Sequence, residues 1–384
     1  MRIAVLFPLL TLLIGWGAVP AFAQEEPFDG FSSYYEELEE ESGAEDLPYE
    51  LPEEARDSLG ELGVDGPNWD SLSSLSPEAV FSLASQSAAE ASRNPVRAGA
   101  SVLAVILLCA LLNGMKLTFA ANSLSQAAGL AATLCVAAVV VRPIVGCVQY
   151  AASIVQAAAG FQLACVPVLG GILLAAGEPA KALSYETLTA LAGNAVSLVA
   201  NYFLVPLISC FLALSLVSAV CPAVPMNGLC ELIAKAVKWI LGFCMTLFTG
   251  LLTVHSLVTA SADSAASRAV KFAVSSFVPV VGGALGEALR TVGGCIGVLK
   301  SGVAAFVLLA EGVLFLPAIL QCVFWQLTLL FCSAVGEALG QKELSALLSA
   351  AGKAVGLLLA ILLCCALMMT VTSVALILVG GGAS

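Results

Sequence analysis

Three ionisable residues stand alone in long apolar stretches of this 384-residue sequence: Arg142, His255 and Glu311. An ionisable group at the centre of a bilayer costs about 2.5–3.5 kcal/mol on insertion scales, so it usually faces protein or water and can take part in ion or proton movement. Arg142 precedes Pro143 and suits a helix end near the headgroups, whereas a single histidine such as His255 is typical of a polar packing residue. Glu311 lies well inside an apolar run and is the best candidate for an intramembrane charge.

Two proline–glycine segments of similar sequence could interrupt membrane helices: CVPVLGGIL at 165–173 and FVPVVGGAL at 277–285. A proline removes a backbone hydrogen bond from a helix and kinks it, and an adjoining glycine pair loosens it further. Paired interruptions indicate a substrate or ion path in transporters, while a purely structural kink, or chance in a glycine-rich chain, are the alternatives. The candidate residues are Pro167, Gly170, Gly171, Pro279, Gly282 and Gly283.

Charged residues surround the second of these segments. Residues 268–302 form an amphipathic stretch that contains Lys271, Glu287, Arg290 and Lys300. Glu287 and Arg290 are three positions apart, so a helix would place them on one face, where they could pair. The stretch predicts either an interfacial helix with a solvated ion pair or a re-entrant element at a pore or subunit contact.

Catalytic and metal-binding patterns are not found in the sequence. One histidine excludes an HExxH zinc site, and no local motif indicates a Ser-His-Asp arrangement. The 13 cysteines all lie between Cys109 and Cys365 without metal-ligand spacing, so we expect them to act as small apolar residues in helix packing. We therefore expect no enzyme activity, no metal and no cofactor.

The composition indicates the elements that must position these residues. Hydrophobic residues make up 60% of the chain and charged residues 11%, and apolar runs longer than about 18 residues recur between residues 99 and 379. These features predict an all-α polytopic integral membrane protein with roughly six to eight transmembrane helices, some broken by Pro and Gly or re-entrant. The predicted spans are 99–116, 127–148, 151–176, 192–220, 239–260, 302–334 (with a possible division at Pro317) and 354–379, with a weaker stretch at 272–300.

The N-terminal part has a different character. Residues 1–23 have an early positive charge, an apolar centre and an Ala-Phe-Ala end, which predict a secretory signal peptide. Residues 24–94 follow as an acidic segment, which we expect to be extracytoplasmic and largely disordered. The multi-span membrane domain then covers residues 95–384.

One short helix is expected within the acidic segment, at residues 77–92. Ser76 can cap its N-terminus, Pro77 suits the first helical position, and Asn94-Pro95 would end it. Residues 24–92 carry 19 of the 27 acidic residues against one basic residue, Arg56. This charge argues against nucleic acid as a partner.

Small residues at helical spacing predict close contacts between helices. The stretches AASIVQAAAG at 151–160 and SADSAASRA at 261–269 would let helix backbones approach one another, either within the fold or in a homo-oligomer in the lipid bilayer. No Walker-type glycine loop is present in the sequence. Movement of a solute would therefore need a gradient or a partner.

The sequence around the second Pro/Gly segment resembles a known family. The run from Lys271-Phe272 through Phe277-Val278-Pro279-Val280-Val281-Gly282, followed by Thr291-Val292 and Leu299-Lys300, is similar to the central signature of the stage III sporulation protein AE family. The order of a signal peptide, an acidic segment and a multi-span body with an earlier Pro-bearing segment is also similar.

This resemblance implies a role in endospore-forming bacteria. The expected location is the mother-cell membrane surrounding the forespore, and the expected role is that of a membrane subunit in a channel-like, secretion-like assembly that joins the two cells and supports late forespore development. The implied partners are other proteins of the same operon, including ring-forming subunits and a secretion-type ATPase, and a forespore-side partner. An independent secondary transporter and a non-conducting membrane scaffold are the alternatives.

Overall fold

The computed structural model describes residues 39–40, 42–115, 122–176, 179–198, 205–220, 228–251 and 282–380, together with residues 200, 202, 226 and 253. Throughout these residues the chain is helical apart from turns, which confirms the predicted all-α class. A 3-10 helix, η1, spans Ala44–Glu50. The α-helices are α1 Glu53–Glu61, α2 Trp69–Ser73, α3 Pro77–Met115, α4 Asn122–Ala175, α5 Pro179–Leu198, α6 Val205–Val220, α7 Gly228–Leu251, α8 Gly282–Ala338 and α9 Lys342–Gly380.

Five helical segments in the described part of the chain are long and apolar enough to cross a membrane. They are Pro77–Leu111, Thr133–Ala175, Gly228–Leu251, Ser301–Ala338 and Lys342–Val374. Val205–Ser215 is a shorter apolar helical segment. The chain is therefore an integral membrane protein, with five long apolar helices where roughly six to eight spans were predicted.

Two predicted divisions inside apolar sequence are wrong. The predicted spans 127–148 and 151–176 form the single helix α4, which continues through Pro143 and Pro167. Helix α8 likewise continues through Pro317, where a division was considered. A proline removes one hydrogen bond, but in apolar surroundings the neighbouring backbone groups have no water to bond instead, so helix continuation satisfies more of them.

Two other predicted spans have different bounds. The stretch 192–220 is divided between the end of α5 and α6. The weakly hydrophobic stretch 272–300 includes residues 282–300, which form the first part of α8 rather than a separate element. Length and hydropathy locate apolar sequence, but they do not show where a helix ends inside it.

The acidic segment is more ordered than predicted. Residues 44–73 form η1, α1 and α2, and the leucines Leu47, Leu59 and Leu72 on these elements are buried. The short helices pack against α4 and α8. The prediction of a largely disordered segment is therefore wrong for this region, because a few apolar residues among many acidic ones suffice to dock it on the membrane helices.

Helix α3 begins where the sequence predicts and ends much later. Its first turn is capped by Ser76, whose Oγ accepts a hydrogen bond of 3.1 Å from the Ala79 N–H. The predicted end at Asn94-Pro95 is wrong, since the helix runs to Met115. Proline is tolerated here because the apolar sequence after it is strongly helical, so the proposed boundary at residue 95 falls inside one helix.

Helices α8 and α9 form an antiparallel hairpin at the centre of the molecule. Gly340 ends α8 with a positive φ of 74°, and the N–H of Gln341 bonds the Gly336 carbonyl at 2.8 Å, which is a glycine-type C-cap. Near the turn, Ser333 and Ser345 each donate to the other's backbone carbonyl, at 3.0 and 2.9 Å. The hairpin is thus held by a tight turn and a reciprocal serine pair.

Helices α3 and α4 pack against this hairpin. Gly99 of α3 lies so close to Thr328 of α8 that an added Cβ would stand 2.5 Å from Thr328 Cγ2. On α4, the buried Cys147 thiol lies 3.6 Å from the Cys322 thiol of α8. Small residues therefore allow both helices to approach α8 closely, as the residue composition predicts.

Candidate functional site

Glu311 is a buried carboxyl in the middle of the helix assembly. It lies in α8 and is 2% exposed. Ser373 of α9 donates a 3.0 Å hydrogen bond from its Oγ to Glu311 Oε1. In the described part of the chain, Glu311 Oε2 has no hydrogen-bond partner. The carboxyl therefore lies away from water with only half of its hydrogen-bonding capacity used.

Gln162 of α4 reaches the same face of α9. Its Nε2 donates a long hydrogen bond of 3.5 Å to the Met369 carbonyl, and its buried Oε1 has no partner among the described residues. Met369 and Ser373 are four positions apart in α9, so they lie on one face of the helix about 6 Å apart along its axis. Gln162 and Glu311 consequently converge from two helices on neighbouring turns of a third.

Helix α5 and one further residue of α4 complete the surroundings. Cys165, one turn after Gln162, and Tyr185 of α5 lie close to Glu311. Thr189, one turn after Tyr185, is fully buried. Burial raises the pKa of the Tyr185 hydroxyl above its ordinary value, and the nearby Cys165 and Glu311 act in the same direction. Tyr185 is therefore neutral and supplies no charge.

These residues define a polar cluster, namely Gln162, Cys165, Tyr185, Thr189, Glu311 and Ser373, at the junction of α4, α5, α8 and α9. Its free groups are oxygens, and the described residues contain no group of three His, Cys, Asp or Glu side chains that could hold a metal ion. Glu311 is the one carboxyl group of the cluster.

The first Pro/Gly segment lies in an unbroken part of α4. Pro167, Gly170 and Gly171 are all helical, so the predicted interruption there is wrong. A Cβ added to Gly170 would stand 2.8 Å from Glu186 Oε1 of α5, whereas one added to Gly171 would meet nothing within 4 Å. Gly170 is therefore a close-packing position between α4 and α5.

The second Pro/Gly segment is described only in its last part. Lys271 and Pro279 lie outside the described residues, while Gly282 and Gly283 begin α8. Glu287, Arg290 and Lys300 belong to the same helix, but their side chains lie outside the description. The pairing of Glu287 with Arg290 and the re-entrant element thus stay predictions.

Sequence reasoning found Glu311 but not its neighbours. Gln162, Tyr185 and Ser373 are ordinary polar residues in apolar surroundings, and Ser373 is 62 positions from Glu311. The sequence offers only a weak indication of them: Gln162 and Ser373 are polar residues inside predicted spans. Such residues also occur on water-facing or lightly buried surfaces. The helix arrangement is needed to bring them together.

The fold and the buried polar cluster define a multi-helix membrane protein whose apolar core contains a small polar cluster. Comparison with known families identifies it further: the family described as "Stage III sporulation protein AE" matches residues 73–381. The chain belongs to this family, which confirms the resemblance noted in the sequence.

A curated relative supports this membership at a distance. The chain is similar to a stage III sporulation protein AE of Bacillus subtilis (strain 168), with 27% identity over 145 residues. The match covers 38% of this chain and 36% of the relative, so it spans about a third of that protein's length. No solved structure matches the chain.

Proposed function

We propose that this protein is a membrane subunit of a channel-like, secretion-like complex that links the mother cell and the forespore during endospore formation. The observation that carries the proposal is the family match over residues 73–381, which covers the whole membrane body. The protein would lie in the mother-cell membrane around the forespore, with its mature N-terminus and its acidic segment outside the cytoplasm. The subunit would bind other proteins of its operon and a forespore-side partner.

The described structure is compatible with a subunit that works by assembly rather than by catalysis. Helix α7 exposes Leu232, Trp239 and Phe243 on its surface. Such large apolar side chains suit contact with lipid or with membrane-embedded subunits. We propose no enzymatic activity for this chain and no cofactor.

Deletion of the gene in the native organism tests the proposal. We expect deletion to arrest sporulation after engulfment, with a small forespore and a silent late forespore reporter, and expression of the intact chain in the mother cell to restore both. Expression in the forespore alone should not restore them. Normal spores in the deletion strain would contradict the proposal.

A secondary transporter is the second candidate, and the buried acid Glu311 favours it. An independent transporter would take up its solute in liposomes without any partner, driven by an ion gradient. We expect no such uptake from the purified chain, because the proposed subunit needs its partners.

A further inference from the structure

Two buried oxygens in the polar cluster are without hydrogen-bond partners in the described structure: Glu311 Oε2 and Gln162 Oε1. If the carboxyl were ionised, both would be acceptors, and neither could satisfy the other. A proton on Glu311 Oε2 turns that atom into a donor, and Gln162 Oε1, held near the adjacent turn of α9 by the Nε2 bond to the Met369 carbonyl, is an acceptor that lacks a donor. One proton therefore supplies the donor that this pair of acceptors lacks, while Oε1 keeps its bond from Ser373.

The described charged groups do not offer Glu311 a counter-charge. On the acidic segment, Arg56 lies over the Tyr49 ring at 5.8 Å, and the described acids of η1 and α1 are exposed. Helix α5 places Glu186 against Gly170, and α6 has no charged residue. The described charged side chains of α3, α4, the far end of α8, and α9 are exposed: Glu78, Glu90, Arg93, Arg97, Arg142, Glu337, Lys342, Glu343 and Lys353.

The described titratable groups close to the carboxyl are also not cationic. Cys165 and Tyr185 lie close to it on α4 and α5. Both side chains are neutral when protonated and negative when deprotonated, so neither can supply a positive charge. A buried carboxylate with one hydrogen bond and no cation beside it among the described side chains is unfavourable, so it takes up a proton or a cation. A metal cation would need several oxygen ligands at once, whereas a proton needs one acceptor.

We propose that Glu311 is a reversible proton-binding site in the membrane body, with Gln162 positioning the bound proton by accepting its hydrogen bond. The proton sits on Glu311 Oε2, and its release requires water or another carrier to enter the junction of α4, α5, α8 and α9. The inference concerns the isolated chain and does not depend on the proposed channel role.

Labelling with dicyclohexylcarbodiimide, an apolar reagent that reacts with protonated carboxyl groups, tests the proposal on the purified full chain. We expect mass spectrometry to find the adduct on Glu311, with labelling that falls as the pH rises and is unaffected by sodium ions. Glu311→Gln should lose the adduct, whereas Glu337→Gln, which changes an exposed acid of the same helix, should keep it. A chain that is not labelled at Glu311 at any pH would overturn the proposal, and so would protection by sodium at constant pH.

The pH dependence of the labelling tests the role of Gln162 separately. Gln162→Leu removes the acceptor for the bound proton, so we expect the pH of half-maximal labelling to fall by about one unit, a tenfold loss of proton affinity. Gln156→Leu, which changes an exposed glutamine of the same helix, is the matched control and should leave that pH unchanged. Equal behaviour of the two variants would remove Gln162 from the site.

Discussion

At the scale of single residues, a glycine determines how closely helices α3 and α8 can pack. Gly99 has no side chain where α3 crosses α8, and a methyl group there would stand 2.5 Å from Thr328 Cγ2. Threonine is branched at Cβ and cannot move this group freely. The contact between the two helices is therefore specified by one glycine and one threonine.

Gly99→Ala should destabilise the protein by about 1–3 kcal/mol, because it overfills a tight contact. The measurement is the thermal unfolding of the detergent-solubilised chain. Thr328→Ser removes the clashing methyl group, so the double variant should recover most of the loss. Gly160→Ala, where nothing lies within 4 Å of the added Cβ, is the control and should not destabilise the chain.

The two glycines of the first Pro/Gly segment should behave differently although they are adjacent. Gly170→Leu would push against Glu186 and separate α4 from α5, whereas Gly171→Leu would extend into open space. We expect heat-resistant spore counts to fall for the first variant and to match the wild type for the second. Equal counts would show that the α4–α5 contact does not matter for function.

At the scale of helices, the sequence predicts that a segment is helical better than it predicts where each helix begins and ends. The apolar runs predicted helices throughout, and Ser76 and Pro77 correctly marked the start of α3. The helix ends expected at Pro95 and Pro143 and the interruption expected at Pro167 were wrong, because a proline signal is local while helix continuation depends on what else could satisfy the backbone. The polar cluster needed four helices in their final arrangement, so only Glu311 could be found beforehand.

The packing of α4 on α8 can be tested by cross-linking. A variant that keeps only Cys147 and Cys322 should form an intrachain disulfide under copper–phenanthroline and oxygen, because the two thiols lie 3.6 Å apart. A variant that keeps only Cys135 and Cys322 is the control, since Cys135 lies roughly 18 Å from Cys147 along the axis of α4, on its N-terminal side. Faster gel migration should appear for the first variant alone, and cross-linking of both would contradict this packing.

At the scale of the whole molecule, residues 44–73 of the acidic segment are part of the folded body. Its acidic composition predicts disorder, but Leu47, Leu59 and Leu72 are buried against the membrane helices. The acidic side chains around them are largely exposed. The segment can therefore present negative charge from a fixed position rather than from a loose tail.

Leu59→Asp should release this segment, because it places a charge in a buried apolar site. We expect limited proteolysis to cut residues 44–73 quickly in the variant and slowly in the wild type. Asp57→Ala, an exposed neighbour on α1, should leave the cutting rate unchanged. Rapid cutting of the wild-type chain would show that the segment is not docked.

Isolation of the tagged chain from sporulating cells after engulfment tests most directly whether it works as a subunit of a larger assembly. The account predicts that the ring-forming subunits and the secretion-type ATPase of the same operon co-purify with it in constant proportion, and that the chain alone does not transport solutes in liposomes. A chain that is isolated without these proteins and takes up a solute by itself would contradict the account.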